Sequence, residues 1–212
     1  SARVAFDGTT TSASNYIQVR TDPSATYGRH EGVWSKDHYR IVPPASGNTP
    51  LYCWSHHLRL EGLQVACSNT NGAGYGLIRC RNQNSTADIR IDGCIFDGEG
   101  KSKTSAGIQI YDPSSGAKHT IKNCIIMNVT NGKGIEVGYA SPNVSVHNSV
   151  ITNCATGINR AAGTVAVTNC AVFNNTDDFS GTMTVTYTAS DDNDISGTGN
   201  IDISPSATEA DD

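Results

Sequence analysis

The sequence predicts an all-β chain wound as a right-handed parallel β-helix, a solenoid whose turns of roughly two dozen residues stack on one another. Three observations predict it. A short strand-and-corner pattern recurs along the chain, a second strand type recurs between its copies with matching steps, and the composition suits a thin core with many turns.

The first pattern runs through 58–63 (LRLEGL), 89–94 (IRIDGC), 120–124 (TIKNC), 144–149 (VSVHNS) and 165–170 (VAVTNC). Each copy alternates apolar and polar residues, then reaches Gly or Asn followed by a small or apolar residue. The corner positions Gly62, Gly93, Asn123, Asn148 and Asn169 are separated by 31, 30, 25 and 21 residues. Steps that shorten toward the C-terminus are expected if loops shrink while the stacked strands stay constant. Gly accepts a left-handed backbone at a sharp corner, and Asn is the next best residue for it. Stacked Asn side chains also hydrogen-bond from rung to rung.

The second pattern starts at Leu51, Ile78, Ile108, Ile135 and Ile158. Its strands alternate with period two, so this aliphatic column faces inward and its neighbours face outward. Equivalent strands then run parallel, about 4.8 Å apart. A β-sandwich of many short strands does not explain two interleaved registers with the same steps.

Composition narrows the function. The chain has 212 residues, enough for a sizeable core, but only 37% are hydrophobic and 21 are Gly. That profile favours turns over a helical globule. Fifteen Lys and Arg against twenty Asp and Glu leave a net charge of −5. This argues against nucleic acid, which requires a basic stripe, and disfavours acidic polysaccharides except at a local basic patch. No stretch approaches the roughly 18 apolar residues that cross a bilayer. The chain opens at Ser1 with neither Met nor a hydrophobic leader and ends in a polar tail, so it reads as a piece of a longer protein. The expected organisation is N-terminal strands and leading coils over 1–50, main coils over 51–190 and a polar tail over 191–212.

The seven cysteines lack the spacing of a zinc site. Cys94, Cys124 and Cys170 share one column with Ser149 at the missing rung, and Cys53 and Cys80 share another. Buried free thiols acting as small apolar residues are expected; the Cys53–Cys80 spacing also permits a disulfide.

The N-terminal stretch 28–34 (GRHEGVW), Tyr39-Arg40 and 58–64 (LRLEGLQ) resembles the leading coils of β-helix repeat proteins from tailed bacteriophages and environmental bacteria. The Asn-Cys repeats over 89–175 resemble the wider right-handed parallel β-helix family, which includes pectate lyases, rhamnogalacturonases and phage tailspikes. The resemblance covers nearly the whole chain and implies the fold. It implies little about activity, because that architecture carries enzymes, adhesins and inert shafts. The acidic calcium cluster and arginine base of the lyases, and the paired aspartates of the hydrolases, find no counterpart here.

Two exterior faces hold candidate residues. On the second strand type, the outward columns bring together Tyr52, Arg79, Gln109 and Glu136 and, alongside, Trp54, Arg81 and Tyr111. Flat rings suit sugar faces, and the polar groups suit sugar hydroxyls. On the first strand type, Glu61, Asp92, Lys122 and His147 form one column. Glu61 and Asp92 would lie about 5 Å apart, near the separation of the two carboxyl groups in retaining glycosidases. Acid, acid, lysine is equally an ordinary surface charge ladder.

His56-His57 point to opposite faces and make no joint metal site. The acidic run 191–194 lacks the Gly and distal Glu of a calcium loop and reads as a polar turn. Asn84, Asn128, Asn143 and Asn174 each begin an N-x-S/T triplet.

The resulting expectation is a non-catalytic structural or carbohydrate-binding module of a virion or extracellular assembly, with no cofactor and no metal. The alternative is a polysaccharide lyase or glycoside hydrolase working on an exterior face. A solenoid exposes unpaired strand edges at its ends. Neither terminus offers an amphipathic cap helix, so self-association or a capping partner domain is expected.

Overall fold

The computed structural model describes residues 4–7, 10–42, 49–67, 75–82, 84–101, 104–113, 116–139, 142–192 and 194–203. Their regular structure is all strand. The strands stack into three parallel sheets of seven, seven and eight strands, built from every third strand of the chain as a β-helix requires, save that the last two strands of the third sheet are consecutive.

The first sheet runs from Val4–Phe6 through Leu51–Cys53, Ile78–Cys80, Ala106–Tyr111, Lys133–Gly138 and Thr156–Arg160 to Asp177–Ser180. The second runs from Ile17–Arg20 through His57–Glu61, Asp88–Asp92, Lys118–Lys122, Asn143–His147 and Thr164–Thr168 to Thr184–Thr186. The third begins at Arg40–Ile41 and ends at Ile201–Asp202. Stacked strands therefore extend beyond 51–190 at both ends.

Both registers fall where the repeat places them. Leu51 pairs with Ile78, Ile78 with Ile108, Ile108 with Ile135 and Ile135 with Ile158, and all five are buried. Inward columns from the three sheets meet in one continuous core. The Gly and Asn corners join the second sheet to the third with φ between 48° and 68°. Asn148 donates through Nδ2 to Asn123 Oδ1 at 3.3 Å, and Asn169 likewise to Asn148 at 2.8 Å. Asn123 starts the ladder by donating to Asp92 Oδ1 at 2.8 Å. A second left-handed column, Asn128, Asn153 and Asn174, turns the chain out of the third sheet.

All seven cysteines are buried free thiols, Cys53 and Cys80 included. Burial pushes Cys94 up to about 12 and Cys154 up to about 11, so these thiols are poor nucleophiles.

The N-terminal segment between the first coil's second and third strands crosses the outer face of the third sheet. His30 Nε2 lies 2.8 Å from the Gly93 carbonyl, Ser35 N donates to Gln64 Oε1, and Gln64 Nε2 donates back to the Ser35 carbonyl. Gln64 and Ile95, outward-facing on that sheet, are fully covered.

The acidic run 191–194 is more than a polar turn. Asp192 and Asp194 carboxylates accept from the backbone N–H groups of Asp178 and Phe179, and Asp191 accepts from that of Asn174. Asp178 and Phe179 sit on the last strand of the first sheet among the described residues, where no further strand supplies carbonyls. The carboxylates thus cap the exposed edge that the sequence reading left open at this end.

Candidate functional site

The first sheet arranges the expected ligand-binding residues in rungs, one per coil. Tyr52 pairs with Arg79, Arg79 with Gln109, and Gln109 with Glu136. Trp54, Arg81 and Tyr111 follow on the same rungs two residues later, and Tyr111 pairs with Gly138. All seven candidates therefore share one face.

Their exposure differs from the expectation. Tyr52, Arg79 and Gln109 point out of the coil yet are only 6–7% exposed, because neighbouring rings cover them. Tyr75, just before the Arg79 strand, lies over the Arg79 guanidinium at 3.9 Å; Tyr111 and Tyr52 flank it at 5.0 and 5.8 Å. The accessible part of the face is Trp54, Arg81 and Tyr111, each half-buried, with Tyr75 and Tyr139 more exposed.

The rings form two stacks. Tyr52 and Trp54 pack with centroids 5.2 Å apart, and Tyr111 and Tyr139 with centroids 4.9 Å apart. Arg81 lies over Trp54 at 5.6 Å. The arginine rung is thus sandwiched between two aromatic rungs. Gly138 leaves space beside Tyr111, and Tyr139 takes a left-handed backbone with φ 67° as it packs on that ring. Such a conformation is uncommon for a bulky residue and is held in place by surrounding structure. Tyr75 and Tyr139 escaped the sequence reading because both lie just outside the repeated strands. Their one signal was an aromatic residue beside a column already rich in them.

At the far end of this face, Gln109 Nε2 donates to Glu136 Oε2 at 2.7 Å, and Lys133 pairs with Glu136 at 3.6 Å. Gln109 Oε1 and Arg79 Nε are buried without a hydrogen-bond partner.

The second sheet carries the other candidates in one outward column, in the order Glu61, Asp92, Lys122, His147. An open cleft of about 490 Å³ is lined by Asp88, Arg90, Lys118, Thr120 and Lys122. A smaller one beside it takes in Tyr16, Arg59, Glu61 and Asp92. Both oxygens of Asp92 are engaged: Oδ2 with Lys122 at 3.0 Å, Oδ1 with Asn123. Asp92 is thus held by a cation and an amide beside Glu61 on the neighbouring rung. Asp88 bridges Arg59 and Arg90, both at 2.8 Å. Burial raises its carboxyl, but the two guanidinium groups outweigh that and hold it below its ordinary value. This is an ion-pair network of the kind that organises a surface.

Among the described residues, the aspartates at the C-terminal cap are the grouping whose ligand atoms converge as those of a cation site do. Carboxylates of Asp177, Asp192 and Asp194, and of Asp178, Asp191 and Asp192, converge within 4.8 Å. Burial pushes the Asp178 carboxyl up to about 6 and raises Asp194. Asp178 also accepts from Ser190 Oγ at 2.6 Å and Asn175 Nδ2 at 2.8 Å. These carboxylates already serve as edge caps. His56 and His57 do not converge on one site: His56 Nδ1 contacts the Asn84 amide, while His57 is buried and lowered by desolvation. Of the N-x-S/T triplets, the Asn128 side chain is engaged in a ladder, donating to Asp97 and accepting from Asn153. Compared with models of known protein families, with curated proteins and with solved structures, the chain matches none.

Proposed function

We propose that the protein is a non-catalytic binding module of an extracellular or virion assembly, and that its first-sheet face grips a saccharide without cleaving it. The observation that carries this reading is the pair of aromatic stacks flanking the arginine rung, with Trp54, Tyr111 and Tyr139 reaching solvent. Amphipathic rings offer large apolar contact with few rotatable bonds, which favours recognition of a sugar ring's C–H face. Across two rungs the rings span roughly 10 Å, suited to a short oligosaccharide. The full engagement of Asp92 weighs against the hydrolase alternative on the second sheet.

The test is a glycan array followed by product analysis of every hit. Binding with intact ligand is expected. Trp54→Ala should weaken it by about tenfold or more, since a truncated aromatic anchor costs around 2 kcal/mol. Glu136→Gln should cost less, because that carboxylate is already held by Lys133 and Gln109. Cleaved product that disappears in Glu61→Gln would overturn the proposal.

A further inference from the structure

We infer that the arginine rung of this face is an anion subsite, and that the saccharide it takes carries an acidic substituent; this rests on the saccharide-binding reading above. The argument begins with Arg79. The residue is only 7% exposed, and among the described residues it makes no ion pair and its Nε–H has no acceptor. A buried charge is costly unless paired. The three tyrosine rings around it compensate in part through their electron-rich faces, but they bring no opposite charge.

Arg81, two residues on along the same outward side, repeats the situation closer to solvent. It lies over Trp54 and has no carboxylate partner among the described residues. Among the described residues, Glu136 sits two rungs from the arginines and is taken by Lys133 and Gln109, and Asp7, which follows the strand Val4–Phe6, lies two rungs away on the other side. Two uncompensated guanidinium groups on one rung therefore form a positive patch on a chain whose net charge is −5. Overall charge argues against acidic polymers, but local charge decides at the site.

The neighbours fit such a ligand. Guanidinium groups match the planar, bidentate geometry of carboxylates and also bind sulfate oxygens. Gln109 Oε1, buried and unpartnered on the next rung, offers an acceptor for a sugar hydroxyl. Tyr75, 53% exposed over Arg79, is the ring whose rotation would bring that guanidinium into contact with the ligand. Arg81 makes the first contact, and Arg79 reinforces it from a less polar environment.

The experiment titrates the whole chain with three oligosaccharides of matched length: neutral, uronic-acid-bearing and sulfated. Titration is by calorimetry at about 20 mM and about 500 mM salt, where screening differs strongly. At low salt an acidic ligand should bind at least about tenfold more tightly than the neutral one, as expected for charge-assisted hydrogen bonds, and high salt should narrow the gap. Arg81→Gln, checked for an unchanged circular dichroism spectrum and melt, should abolish the preference, so that acidic and neutral ligands bind alike. Tyr75→Ala should widen it. The uronate and sulfate arms identify which acidic group is read. Equal binding of neutral and acidic ligands would overturn the anion subsite and leave saccharide binding standing. Failure of all three to bind a folded protein would overturn the saccharide reading itself.

Discussion

Gly93 illustrates how one residue answers to two constraints. Its φ of 58° disfavours any side chain, and a Cβ there would lie 1.9 Å from Arg29 Nη2. At Gly62, on the preceding coil, the same arginine and Thr21 crowd the position. From Asn123 onward the column switches to Asn, which tolerates the left-handed corner and links the coils through its amide. Gly93→Ala should therefore cost roughly 2–3 kcal/mol, about one from the left-handed backbone and the rest from displacing Arg29. In an Arg29→Ala background only the backbone part should remain. Urea melts of the four proteins of this double-mutant cycle measure the coupling; additive losses would show that Arg29 does not crowd the corner. Asn148→Ala, with no strap to clash, should lose about 1–2 kcal/mol from backbone strain and the broken ladder.

Among elements, the C-terminal cap and the Arg59–Asp88–Arg90 network respond to pH with opposite signs. Asp178 is raised from 3.8 to about 6 in the folded protein. Its folded form holds the proton more tightly, so its contribution to stability is fully present below about pH 4 and lost as pH rises through 6. Asp88 is lowered below 3.8 by its two arginines. Its contribution is present above that value and disappears as pH falls further. The Asp178 contribution therefore grows from pH 7.5 to pH 5, while His30 and His57, whose values burial lowers, lose stability over the same range as they charge. Asp178→Asn removes the first contribution alone, so the melting temperature of the variant minus that of the wild type should be larger at pH 7.5 than at pH 5 by roughly 2–4 °C, and amide exchange should place the change in strands Asp177–Ser180 and Ala189–Ser190. A difference larger at pH 5 than at pH 7.5 would refute this sign.

At the scale of the whole molecule, the core is long and thin, so a single rung has little room to relax. Ile108 is fully buried between Ile78 and Ile135. Ile108→Asp should abolish folding, because the carboxylate would have no partner within the core; a soluble protein with a cooperative melt would refute the register. The two ends of the solenoid differ. Carboxylates cap backbone donors at the C-terminal end, whereas the first-coil strand Val4–Phe6 carries Val4 at 43% exposure. An exposed strand edge favours pairing with another strand, and we predict that this strand carries self-association of the 212-residue chain. Light scattering should show mass rising with concentration, and Val4→Lys should suppress it.

The strand register, the inward columns, the left-handed corners and the grouping of Tyr52, Trp54, Arg79, Arg81, Gln109, Tyr111 and Glu136 on one face were all legible in the chain itself. The reason is that they follow from period-two alternation and from the backbone preferences of Gly and Asn, which act locally and repeat with each coil. Coverage depended on the tertiary structure. Tyr75 closing over Arg79, Tyr139 stacking on Tyr111, Arg29 lying across two corners and aspartates capping the last edge join segments outside the repeat or far apart along the chain. No periodic signal marks such contacts, because each occurs once and depends on where the winding of the solenoid brings a loop to rest.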